Sequence, residues 1–86
     1  MTISHNRGFK KMFKKHPFWV RKKLAERSFL FLQDQYNPLL NNHTLGGEWA
    51  GHRSINITGD IRVIFRQISD DYVVFVAIGS HSELYS

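Results

Sequence analysis

The feature that most constrains this chain is a pair of alternating segments hinged on Thr58-Gly59-Asp60. Residues 53–58 set Ile55 and Ile57 against Ser54 and Asn56, and residues 60–67 set Ile61, Val63 and Phe65 against Arg62, Ile64 and Arg66. Side chains alternate across a strand with period two, so these segments read as a hairpin with one greasy face and one face that displays arginine. Ser69-Asp70-Asp71 makes the next turn. Residues 72–78 (YVVFVAI) are apolar at every step, which suits a strand in the middle of a sheet.

Helical spacing governs the first half. Phe9, Met12, Phe13 and His16 recur at three and four residues, bounded by Gly8 and the His16-Pro17 step. A second helix is expected over residues 17–35, opened by Pro17 and stopped by Asn37-Pro38. Phe18, Val20, Leu24, Ala25, Phe29, Phe31, Leu32 and Tyr36 share one wide apolar arc on it, with Lys22, Lys23, Glu26 and Arg27 opposite. Trp19 and Leu30 fall inside the polar arc; they are either buried against a neighbouring segment or form a protein-binding spot. Residues 37–51 form a loop rich in Asn and Gly, pinned by Leu39, Leu40, Leu45 and Trp49. Residues 1–5 allow a first strand. Helices followed by a three-strand meander argue an α+β fold, with residues 1–86 as one domain.

The formal charge of +5 is concentrated. Arg7, Lys10, Lys11, Lys14, Lys15, Arg21, Lys22, Lys23 and Arg27 lie between residues 7 and 27, opposed there only by Glu26. A polyanion is the natural partner for such a field, because each neutralised phosphate releases condensed counterions. An acidic protein would satisfy the same field, and solubility alone is the plainest use of it. Cysteine is absent, so neither a disulfide nor a thiolate metal site contributes, and a cytoplasmic setting fits. No secretory or membrane-spanning run stands out.

Five histidines invite a zinc reading, but His43 and His52 have no second close pair and no HExxH helix beside them. The more specific arrangement is His43, Asp60 and His81, at three element ends that a meander can bring together. Imidazole titrates near neutrality, so one ring can accept a proton while another donates one. Arg53 and Arg62 can hold a phosphate and stabilise charge developing on its oxygens. That is equipment for cleaving RNA without a metal or other cofactor, with the ribose 2′-hydroxyl as nucleophile. Each residue also has a structural use: Asp60 can close a turn with its side chain, and Arg62 can pair with Asp70 or Asp71. Gly79 would let the chain turn after the third strand and so place His81.

The stretch HTLGGEWAGHRSINITGDIRVIF, the ending IGSHSELY and the basic FKKMFKK together resemble the RelE/ParE superfamily of type II toxins, most closely the YafQ-like mRNA interferases. The resemblance implies a small curved antiparallel sheet with two N-terminal helices packed on one face. It makes His43, Asp60 and His81 catalytic, with Arg62 on the RNA backbone. Arg53, Asn56, Tyr85 and the basic first helix (Lys10, Lys11, Lys14, Lys15) would bind RNA. The partners implied are the 70S ribosome with its mRNA and a cognate antitoxin, for which Trp19 and Leu30 are candidate contacts; no metal and no membrane is implied. Two positions depart from the pattern. Asn56 stands where these toxins carry a histidine, and Ala77 where they carry an arginine four residues before the final histidine. Those departures keep two alternatives open: a ParE-like inhibitor of DNA gyrase, or a weakly catalytic toxin that mainly binds its antitoxin.

Overall fold

The computed structural model describes residues 1–85. The chain runs β1 (Thr2–His5), α1 (Arg7–Phe13), α2 (Phe18–Gln33), β2 (His43–Thr44), β3 (Arg53–Asn56), β4 (Ile61–Ser69), β5 (Tyr72–Ser80) and α3 (His81–Tyr85). Short 3-10 turns at Pro38–Leu40 and Gly47–Trp49 fold the long loop. The strands form one five-stranded sheet in the order β1-β5-β4-β3-β2. The fold is α+β, but the sheet is mixed rather than antiparallel, because β1 lies parallel to β5 while the other pairs are antiparallel. β1 takes the edge of β5 that β4 leaves open and runs in the same direction as β5.

Asn6 starts α1 by accepting the Phe9 N–H at 2.8 Å, a side-chain cap. Pro17 caps α2 in an extended conformation, so the helix starts one residue later than proline at its first position would give. The wide apolar arc of α2 divides into two stripes. Val20, Leu24 and Phe31 are buried in the main core with Phe9, Ile55, Val63, Phe65 and Phe75. Phe18 and Phe29, by contrast, are 78% and 65% exposed. Successive helical residues are rotated by about 100°, which sets Phe18, Ala25, Phe29 and Leu32 on a line well away from the buried stripe.

A register shift occurs where Ile64 faces Ala77 but Phe65 faces Phe75, leaving Val76 as an extra residue in β5. Such a bulge reverses which face later residues occupy. Val73 and Phe75 before it, and Ile78 after it, therefore all reach the helix-side core, while Ala77 and Gly79 turn to the other face. On that face Ile64, Ala77 and Leu84 make a second, smaller core flanked by Leu45, Trp49 and Val76.

Candidate functional site

The second core is the floor on which the candidate site is built. Arg62 lies opposite Asn56 on β3 and opposite Gly79 on β5, on the sheet face away from Val63 and the α2 core. Its Nη1 donates to Asn56 Oδ1 at 2.7 Å, so it pairs across the strand and not with Asp70 or Asp71. Its Nε is buried without a protein partner. A buried donor left unpaired is costly, so such a group marks a place where an acceptor belongs.

His43 comes from the opposite side, on the short edge strand β2. Its Nδ1 contacts the Asn41 carbonyl at 2.7 Å. A carbonyl oxygen only accepts, so Nδ1 carries the proton and the neutral ring keeps Nε2 as a free base. Asn41 adopts a left-handed conformation (φ 47°), which asparagine tolerates better than most residues, and this bends the chain back toward the ring.

His81 is the first residue of α3, placed there by a reciprocal cap. Glu83 N–H donates to Ser80 Oγ at 3.2 Å, while Ser80 N–H donates to Glu83 Oε1 at 2.8 Å. The Ser80 backbone N–H, and after it the Ser80 hydroxyl, hold the Glu83 carboxyl below its usual range, and the charges of His16 and Lys15 add to the effect. Gly79 has no positive φ and makes no turn. Its small size leaves room for Glu83, since a Cβ there would lie 3.2 Å from Glu83 Oε1 and 3.3 Å from Glu83 Cβ, a tight fit. The signature Ser80-x-x-Glu83 was present in the sequence and would have located the start of α3 directly. One turn on, the Tyr85 ring lies 4.7 Å from that of His81.

Trp49 joins the two halves. Its Nε1 donates to the Leu84 carbonyl at 2.9 Å, tying the loop after His43 to the helix that begins with His81. The result is a hollow of about 360 Å³ lined by Asn41, His43, Leu45, Arg62, His81 and Tyr85.

Two expected members stand elsewhere. Asp60 is exposed in the β3–β4 turn and is not among the lining residues. That turn is closed by Thr58, whose Oγ1 accepts from Asp60 N–H at 3.2 Å and Ile61 N–H at 2.9 Å. Arg53 faces the helices with its register partner Phe65, so it lies on the opposite side of the sheet from Arg62. There its Nε donates to Asn42 Oδ1 at 2.8 Å and its guanidinium sits over the Tyr36 ring. Leu30 packs against the main core, whereas Trp19 is exposed. The exposed lysines of α1 form their own patch, in which Lys10, Lys11 and Lys14 line a shallow basic hollow with Arg7. Among the described residues, no cluster of three or more His, Asp or Glu is arranged to hold a metal, and no helix is long and apolar enough to cross a membrane.

Fold and hollow together define a class of small α+β proteins represented among solved structures. A YafQ mutant from E. coli superposes with a TM-score of 0.79 at 21% identity, covering 99% of this chain and 98% of that one. The E. coli DinJ-YafQ complex gives 0.76 at 22%, covering 99% and 98%. The toxin-antitoxin complex RelBE2 from Mycobacterium tuberculosis gives 0.73 at 22%, covering 93% and 96%. No curated protein matches the sequence. Residues 1–86 match the model of a bacterial toxin of type II toxin-antitoxin system, YafQ. The chain belongs to that family, within the RelE/ParE superfamily.

Proposed function

We propose that this toxin is a ribosome-dependent endoribonuclease that cleaves mRNA by acid–base catalysis. The observation that carries the reading is the meeting of two imidazoles and a guanidinium in one hollow. His43 Nε2 takes the proton from a ribose 2′-hydroxyl as that oxygen attacks the adjacent phosphorus. The bond from phosphorus to the next nucleotide's 5′-oxygen breaks, and His81 gives that oxygen a proton. The products are a 2′,3′-cyclic phosphate and a 5′-hydroxyl. Arg62 stabilises the charge that builds on the phosphoryl oxygens, its unpaired Nε meeting an acceptor there. Asn56 cannot act as a base, but it holds Arg62 in place, and Tyr85 offers an aromatic surface for a base. Asp60 and Arg53, which do not line the hollow, take no part in these proton transfers.

Lys10, Lys11, Lys14 and Lys15 dock the toxin on ribosomal RNA phosphates, which leaves the hollow facing mRNA. A cognate antitoxin neutralises the toxin, as the complexes of DinJ with YafQ suggest by analogy. The exposed Trp19 and the second stripe of α2 suit that contact better than Leu30 does.

The test is expression in growing bacteria without the antitoxin, followed by mapping of mRNA 5′ ends and an assay of gyrase supercoiling. New ends inside codons support the proposal. Intact mRNA with inhibited gyrase moves the protein to the ParE-like class. Normal growth with neither effect marks a toxin that only binds.

A further inference from the structure

A second cationic hollow lies beyond Asn56, the hydrogen-bond partner of Arg62. It has a volume of about 410 Å³ and is lined by Lys23, Arg27, Leu39, Asn56, Ile57, Thr58 and Gly59. Its cations come from α2, whereas the lysine patch described above belongs to α1. Lys23 is partly engaged, because its Nζ lies 3.5 Å from Glu26 Oε2. This is the one ion pair among the described residues, so the half-buried Arg27 brings its full charge to the hollow. Glu26, next to Arg27 in the chain, is engaged with Lys23, and Asp60 is exposed in the turn; neither lines this hollow.

Asn56 lines the Arg27 hollow and touches the first hollow only through Arg62. Its Oδ1 accepts from Arg62, which lines the hollow with the two histidines. Asn56 thus stands between two cationic hollows, one on the Arg62 face of the sheet and one on the α2 side, at the end of β3. Single-stranded nucleic acid is held by a positive groove that follows successive phosphates. We propose that Arg27, assisted by Lys23, forms a second phosphate subsite, which grips the RNA strand beyond the scissile phosphate as it passes Asn56 and the β3–β4 turn. This subsite rests on the RNA-cleaving reading and names how that substrate is held. It also gives Asn56 a use at a position where it cannot transfer protons: a neutral bridge lets the strand cross from one hollow to the other.

The test uses 2′-O-methyl RNA, which cannot be cleaved because its nucleophile is blocked. Binding of a dinucleotide and of a hexanucleotide is measured against salt for wild type, Arg27→Gln and Lys23→Gln. For the hexanucleotide, Arg27→Gln should weaken binding and reduce the slope of log K against log salt by about 0.7, the loss of one phosphate contact on a single strand. The dinucleotide, which reaches only the first hollow, should bind as before. Lys23→Gln should shift the hexanucleotide slope in the same direction by less, and it serves alone if Arg27→Gln does not fold. An unchanged hexanucleotide slope in a folded variant overturns the subsite, as does equal weakening of both oligonucleotides. Failure of the parent reading looks different: the wild type would then leave mRNA uncut in a translating extract, whatever the oligonucleotides do.

Discussion

At the scale of the residue, the two histidines are given different roles by their surroundings. His43 Nδ1 is committed to the Asn41 carbonyl, so only Nε2 can take a proton. His81 sits at a helix start beside Tyr85 and has no such commitment. Replacing either with alanine should lower mRNA cleavage in a translating extract by about 10²–10⁴-fold, the usual range for a positioned proton-transfer group. Both are exposed, so the thermal midpoint should stay close to that of wild type; a large drop would mean that the loss is one of folding. The sequence made His43, His81 and Arg62 visible, because chemistry-bearing residues at strand ends stand out. It misplaced Arg53. Register decides that case: Arg53 pairs with Phe65 and Arg62 with Asn56, and the odd spacing between the partners sends the two arginines to opposite faces.

At the scale of the element, α3 is short and survives on its cap. Glu83→Gln preserves the reciprocal hydrogen bonds of the capping box, whereas Glu83→Ala removes one of them. Cleavage should therefore hold nearly constant in Glu83→Gln and fall in Glu83→Ala. Equal loss in both would show that the carboxylate charge matters and the cap does not. Helix α2 offers a second contrast. Phe31 is buried against Phe65 and Phe75, so Phe31→Ala should cost about 3–5 kcal/mol in chemical denaturation. Phe29→Ala should stay within about 0.5 kcal/mol, since that ring lies in solvent. Hydrophobic periodicity alone merges the two rings into one arc, because it records which residues are apolar and not which side has a partner. The bulge at Val76 was hidden for a related reason. A strand apolar throughout gives no alternation from which a change of face can be read.

At the scale of the whole molecule, β1, α1 and β5 are joined by a histidine outside the proposed site. His5 lies 5.0 Å from the Phe9 ring and 5.4 Å from the Phe75 ring, with Lys10 and Arg21 lining the same groove. Partial desolvation against those rings, and then the charge of Lys10, lowers the pKa of this otherwise exposed histidine below the ordinary value. The direction of the effect on stability follows. As pH falls through about 6.5, the unfolded chain takes up a proton at His5 before the native chain does. The native state therefore loses stability from about pH 7 downward, and the loss ends where native His5 itself becomes protonated. Glu83 acts in the same direction at lower pH: its depressed carboxyl supports the fold above the ordinary glutamate range and ceases to do so as it is protonated. The two windows are separable. His5→Gln should flatten the thermal midpoint between pH 7 and the onset of carboxylate titration, leaving the acid limb intact, whereas Glu83→Gln should affect only the acid limb. A His5→Gln protein whose midpoint still falls as steeply as wild type over the upper window would show that the Phe9–Phe75 seat of β1 tolerates the charged ring. The seam holding the parallel edge strand to β5 would then be looser than its packing implies.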